Sequence, residues 1–127
     1  MLFRSFNNSL EQSLAIIAKF HSQNLIHGDL KISNLYYIKK SDGLFKVGIW
    51  DFDGSKIKKC PLNHSEREKD IARFVASVLD ELNKEGVNAD ENNFNALVNK
   101  FYIKASSDST FDINNQKHYI NKLRKTV

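Results

Sequence analysis

The sequence predicts one α+β domain that is mostly helical and contains a single small β-hairpin. Apolar residues recur at helical spacing near the N-terminus and again after residue 65. Between these segments, two runs rich in aromatic and β-branched residues enclose Ser41-Asp42-Gly43, which is typical of a tight turn. At 127 residues the chain has the length of one domain and can bury a core without disulfide bonds.

The first helix is predicted from about Leu10 to Asn24. Ser9 and Gln12 have the spacing of a capping box, which places the helix start at Ser9. One face carries a stripe at helical spacing: Leu10, Leu14, Ile17, Ala18, His21 and Leu25. Ile16 and Phe20 widen this stripe, so we expect a central helix that is covered on more than one side. His21 is interpreted as a core or boundary residue rather than a ligand.

Two strands are predicted at residues 35–38 and 44–50. A hairpin made from them returns the chain, so that Asn34 before the first strand lies beside Asp51 after the second. The alternative is that Asp51 and Asp53 merely cap a strand end, which leaves Asp29 and Asn34 unexplained.

The clearest helix is predicted over residues 66–85, with a capping box at Ser65 and Glu68 and a stop at Gly86. Its apolar stripe is near-perfect: Ile71, Phe74, Val75, Val78, Leu79 and Leu82. A further helix is expected after Asp90 and a last one around residues 113–123. We expect a catalytic core over about 9–86 and a helical C-terminal part over about 87–127.

The net charge of +4 and the pI of about 9.2 suit a phosphate-rich ligand or an anionic membrane surface, although solvated lysines are the favoured explanation. The basic end at residues 122–125 is likewise interpreted as solvated, with contact to a membrane surface as the alternative. No basic stripe is interleaved with aromatic residues, so nucleic acid is not expected as a partner. The single cysteine, Cys60, and the absence of a secretory signal or long apolar run predict a cytoplasmic protein, at the inner face of the membrane if the basic end binds it.

The most informative motif is His27-Gly28-Asp29-Leu30 followed by Asn34, with Asp51-Phe52-Asp53 after the second strand. Phosphoryl transfer from ATP needs a carboxylate that orients the attacking hydroxyl, and an amide oxygen and a second carboxylate that hold magnesium. The motif resembles the catalytic and metal-binding segments of the protein-kinase-like superfamily, and among its members it is most similar to bacterial lipopolysaccharide core kinases, which act on heptose or Kdo sugars.

The resemblance implies a fold, cofactors and residue roles. The fold is the C-lobe of a protein-kinase-like domain, and the cofactors are ATP and Mg²⁺. Asp29 would orient the substrate hydroxyl, and Lys31 would lie near the transferred phosphate, unless it is a solvated surface residue. The remaining roles are magnesium binding by Asn34 and Asp51, support of the loop by His27 against Phe52, and a hydrogen bond between the Asp70 side chain and the loop backbone. For Asp70 the alternative is a first-turn aspartate favoured by the helix dipole.

Departures from the superfamily pattern narrow the function. Gly28 replaces the arginine with which regulated protein kinases read a phosphorylated activation loop, and Asp53 replaces the glycine of Asp-Phe-Gly. Eighteen residues separate Asp51 from Asp70, too few for a peptide-docking segment, so a small hydroxyl compound is favoured over a protein substrate.

The residues before His27 contain no Gly-rich loop and no paired lysine and glutamate of a kinase N-lobe. We therefore expect a truncated or split sugar kinase whose N-lobe polypeptide is a partner. The alternatives are a non-catalytic kinase-like scaffold and a protein Ser/Thr kinase fragment.

Overall fold

The computed structural model describes residues 3–125, so the predicted domain limits at residues 1 and 127 lie outside the described part. It confirms an α+β fold in which helices dominate. The helices are α1 Phe3–Ser22, α2 His64–Lys84, α3 Glu91–Ser106 and α4 Lys117–Leu123. The strands are β1 Leu25–Ile26, β2 Leu35–Lys39, β3 Phe45–Ile49 and β4 Lys56–Ile57. Two 3-10 turns cover Ile32–Asn34 and Ile113–Gln116.

The core forms where α1, α2 and α3 bring their apolar faces together. Helix α1 packs against α3 and β3, while α2 packs against α4 and the second 3-10 turn. The stripes predicted on the first two helices are buried except for their last members, with Leu14 and Ile71 at 0% exposure and Phe74 at 1%. Leu25 lies in β1 instead of the helix, and both Leu25 and Leu82 are half-buried. His21 is also buried, at 4% exposure, as predicted for a core histidine.

The N-terminus of α1 differs from the prediction. The helix begins at Phe3, and Ser9 is a buried residue inside it, where its carbonyl oxygen accepts a hydrogen bond from Ser13 Oγ at 2.7 Å. The predicted capping box at Ser9 and Gln12 is therefore wrong, because the helical hydrogen bonds continue through this position.

The N-terminus of α2 also differs from the prediction, by two residues. Asn63 is the N-cap, and its side chain and that of Glu66 form a capping box. Glu68, which was predicted to belong to the box, is instead buried and holds the segment around Asp112. The C-terminus of α2 matches the prediction, because Gly86 has a left-handed φ of +76° that ends the helix.

The strands form two antiparallel ribbons. The predicted hairpin is confirmed, with β2 pairing β3 so that Leu35 lies opposite Ile49. The second ribbon pairs β1 with β4 through Leu25 and Ile57 and was not predicted, because two-residue strands carry no periodicity. Together the ribbons fix the two ends of the segment that runs from β1 to β4, and this segment contains the motif residues.

The C-terminal part is more irregular than predicted. Asp90 caps α3 as expected, accepting a hydrogen bond from the Asn93 amide. The last predicted helix divides into the 3-10 turn and the seven-residue α4. Over residues 3–125, no helix is long and apolar enough to cross a membrane.

Candidate functional site

The loop that carries Asp29 is anchored to the core by one buried carboxylate. Asp70 projects from α2 at 1% exposure and accepts hydrogen bonds from the backbone amides of His27 and Gly28, each at 3.0 Å. His21 Nε2 lies 2.8 Å from the same carboxylate, and Arg73 Nη1 lies 3.3 Å from it. Asp70 is well inside α2 rather than in its first turn, so its partners are the loop amides and not the free amides of the helix end.

The ionisation of Asp70 follows from these partners. Burial raises the pKa of the Asp70 carboxyl, but the hydrogen bond from His21 and those from the Gly28 and His27 amides outweigh it and hold the pKa below its ordinary value. Asp70 is therefore an ionised acceptor at neutral pH. A buried charge of this kind is tolerated because every donor around it is directed at its oxygens.

His27 joins the loop to the segment that carries Asp51. Its Nδ1 accepts from the Asp29 amide at 3.2 Å, so the neutral ring donates from Nε2 to the Trp50 carbonyl oxygen at 3.0 Å. The His27 ring also lies 5.3 Å from the Phe52 ring, and Phe52 lies 5.5 Å from Phe20 of α1. One side chain thus holds the amide of Asp29 and the carbonyl of Trp50, the residue before Asp51.

Asn34 and Asp51 are brought together by the hairpin. The Asn34 carbonyl oxygen accepts the Trp50 amide at 2.9 Å, and the Asn34 side-chain nitrogen donates to the Asp29 carbonyl oxygen at 2.8 Å. That second bond leaves the amide oxygen of Asn34 as the atom that can coordinate a cation. Asp51 is exposed and has a left-handed φ of +63°, a conformation that costs a non-glycine residue energy and that aspartate tolerates better than most.

The side-chain oxygens of Asn34 and Asp51 fit magnesium, because this ion prefers carboxylate and amide oxygens as ligands. It usually takes phosphate oxygens and water for the rest of its coordination shell. Over residues 3–125, no group of three or more histidine, cysteine or acidic side chains could hold a metal ion without such help. A cation at Asn34 and Asp51 would therefore bind together with a phosphate ligand.

Asp29 and Lys31 lie on the open side of the loop. Their side chains are about half exposed, and Lys31 Nζ is 3.6 Å from the Asp29 carboxylate. They border a groove of about 500 Å³ between the loop and α2. The far wall of the groove carries charges of both signs: Arg73, Asp80, Glu81 and Lys84.

Two exposed aromatic residues beside the motif were not predicted as site residues. Tyr36 and Trp50 are 42% and 55% exposed, and their ring centroids lie 5.5 Å apart. The Tyr36 ring covers Gly48, where a Cβ would lie 2.1 Å from it. The sequence signal that could have identified them is the alternation of side chains in β2 and β3. It places Tyr36 and Trp50 on one face of the hairpin with a glycine between them.

A comparison with protein families finds a family whose model matches this sequence. The model of the lipopolysaccharide kinase (Kdo/WaaP) family matches residues 6–99, which is more than half of the chain and includes every predicted site residue. No curated protein matches the chain. The chain belongs to the lipopolysaccharide kinase (Kdo/WaaP) family.

Proposed function

We propose that this chain is the C-lobe of an ATP-dependent kinase that phosphorylates a sugar hydroxyl of the lipopolysaccharide core. The observation that carries the proposal is a pair of hydrogen bonds made by Asn34, which link the segments of Asp29 and Asp51. Asn34 donates to the backbone of Asp29 and accepts from the residue before Asp51. Such an arrangement offers a base for a hydroxyl next to oxygen ligands for magnesium.

Each residue has a role in the proposed reaction. Asp29 accepts a hydrogen bond from the acceptor hydroxyl and orients it for attack on the terminal phosphate of ATP. Asn34 and Asp51 hold Mg²⁺, which neutralises the charge of the phosphate oxygens. Lys31, 3.6 Å from Asp29, supplies a positive charge beside the transferred group. Its exposed amine can move from the carboxylate to a phosphate, because a pair in solvent is weakly held.

The exposed aromatic pair provides a surface for the nucleotide base. Trp50 directly precedes Asp51, so a base on the Trp50 and Tyr36 rings would place its phosphates toward the magnesium ligands. An aromatic contact of this kind contributes about 0.5–1.5 kcal/mol beyond the buried area. We propose that an N-lobe polypeptide covers this face and encloses the nucleotide, which fits the exposed Ile38 on the same strand.

The groove beside Asp29 suits a sugar acceptor. Its charges of both signs and the polar backbone of the loop can make many hydrogen bonds, as a polyhydroxylated ligand requires. Cytoplasmic location remains part of this proposal, with contact of the basic C-terminal residues with the inner membrane surface as the alternative to their solvation. Arg124 among them is only 15% exposed and pairs with Asp80 and Glu91.

The proposal is tested by titrating Mg·ATP into the wild-type chain and into Asp51→Asn, with binding followed by calorimetry or NMR. We expect Asp51→Asn to weaken binding about tenfold or more, because a charged hydrogen bond or ligand contributes about 1.5–3 kcal/mol. Asp53→Asn is the matched control, since Asp53 is equally exposed two residues away and has no assigned role. Equal Mg·ATP affinity in the wild type and Asp51→Asn would contradict the assignment of Asp51 as a magnesium ligand.

A further inference from the structure

A buried hydrogen-bond chain reaches the Asp29 loop from helix α3. Tyr102 is fully buried on α3, and its hydroxyl lies 2.8 Å from His21 Nδ1. The other ring nitrogen of His21 contacts Asp70, whose carboxylate holds the amides of His27 and Gly28. Tyr102 lies outside residues 6–99, the part that matches the family.

The direction of the hydrogen bond at Asp70 follows from its charge, and the direction of the one at Tyr102 follows from the tautomer of His21. Asp70 is ionised and can only accept, so His21 must donate to it from Nε2. Arg67, which can only donate, interacts with the phenol of Tyr102, so the Tyr102 oxygen serves as an acceptor on that side. In the tautomer of His21 that carries its hydrogen on Nε2 alone, Nδ1 is an acceptor and takes the hydroxyl hydrogen of Tyr102.

The phenol keeps this hydrogen at any physiological pH. Burial raises the pKa of Tyr102 well above its ordinary value, and the lowering effect of Arg67 does not offset it. The Tyr102 ring is also packed, with its centroid 4.1 Å from that of Phe111. Packing holds the ring in place without its hydroxyl, so the contribution of the hydroxyl can be measured separately.

We propose that Tyr102 is a positioning residue for the catalytic loop, acting through the ring of His21. By donating to Nδ1, Tyr102 fixes the His21 tautomer that carries its hydrogen on Nε2. That hydrogen orients the Asp70 carboxylate toward the His27 and Gly28 amides, the two residues directly before Asp29. The effect on catalysis rests on the proposed function, whereas the hydrogen-bond chain itself does not.

The test compares Tyr102→Phe with Tyr37→Phe. Both substitutions remove one hydroxyl that contacts α1, because the Tyr37 hydroxyl lies 3.1 Å from Ser13 Oγ. We expect only Tyr102→Phe to change the ¹⁵N signals of the His21 ring. It should also speed hydrogen exchange of the His27 and Gly28 amides by about three- to tenfold, the effect of losing one hydrogen bond. A general loss of packing would instead speed exchange throughout the core.

Two outcomes would overturn the inference. One is a Tyr102→Phe protein whose His21 signals and loop-amide exchange equal those of the wild type. The other needs no variant and applies even if Tyr102→Phe fails to fold, namely a wild-type His21 with a hydrogen on Nδ1. Neither readout involves ATP, so the inference and the proposed function can fail independently.

Discussion

The two segments that carry the motif aspartates are held in different ways. The loop at residues 27–34 is fixed by helix α2, since Asp70 accepts hydrogen bonds from two of its amides and Ser77 Oγ accepts one from the Ile32 amide at 2.9 Å. The segment at residues 51–54 is exposed along its whole length. Its position depends on the neighbouring Trp50 and on the Phe52 ring.

This difference indicates that the two halves of the site are preorganised to different degrees. The core fixes the backbone around Asp29, which suits the proposed role of Asp29 in orienting a hydroxyl. Asp51 stands on a strained left-handed backbone at the end of a hairpin, where a bound cation could restrict it further.

The largest expected effect comes from removing the anchor of the loop. Asp70→Ala leaves His21 and two buried backbone amides without an acceptor, so we expect the free energy of unfolding to fall by about 3–5 kcal/mol. Chemical denaturation at neutral pH measures this. Because the folded-state pKa of Asp70 is lowered, its contribution is complete above the ordinary carboxyl pKa and is lost as the pH falls through the folded-state pKa.

Asp29→Ala is the control for that prediction. The Asp29 side chain is about half exposed and, among residues 3–125, forms its ion pair with the exposed Lys31, so the unfolding free energy should change by no more than about 0.5 kcal/mol. Similar losses in the two variants would mean that the loop is not anchored through Asp70.

A smaller effect is expected where the two segments touch. Gly28 has φ +85°, and a Cβ there would lie 2.7 Å from the Gly54 carbonyl oxygen. Gly43 has φ +84° with nothing within 4 Å, so Gly43→Ala measures the backbone cost alone, about 1–2 kcal/mol. Gly28→Ala should cost about 1–3 kcal/mol more, because the clash with Gly54 adds to that strain. Equal losses by thermal denaturation would show that the two segments are not in contact.

A smaller stability effect again is expected on the exposed side. Trp50→Ala removes a half-exposed ring whose Nε1 donates to Ser33, so the unfolding free energy should fall by about 1 kcal/mol or less. Mg·ATP affinity should nevertheless fall about two- to tenfold, through the lost aromatic contact. Ile38→Ala, at similar exposure on the same face, should leave the affinity unchanged, and an equal loss there would argue against a base site on Trp50.

The sequence predicted those parts of the fold that depend on local periodicity. The stripes of α1 and α2, the hairpin and the stop at Gly86 are confirmed, because each depends on residues close in sequence. The capping box at Ser9 was wrong because the helix continues through this residue, and the one at Ser65 because Asn63 also has a suitable side chain and tertiary contacts select between the two starts. Glu68 shows this, since its carboxylate binds a segment more than forty residues away.

For the candidate site, the motif identified the residue types, but most of their contacts could not be predicted. Asn34 contacts Trp50, the residue before Asp51, because of the hairpin register, which the turn residues indicated. The contact between His21 and Tyr102 spans 81 positions and leaves no pattern in a single sequence. The roles of Asp29, Lys31, Asn34 and Asp51 stay predictions until the variants are measured.

The close approach of Gly28 to Gly54 also limits how this site can evolve. Regulated protein kinases, to which the motif is similar, carry an arginine at the position of Gly28. Here any side chain at that position meets a backbone carbonyl rather than a movable side chain. Control by a phosphorylated loop is therefore not reachable through a single substitution at residue 28, because the segment after Asp51 would first have to move.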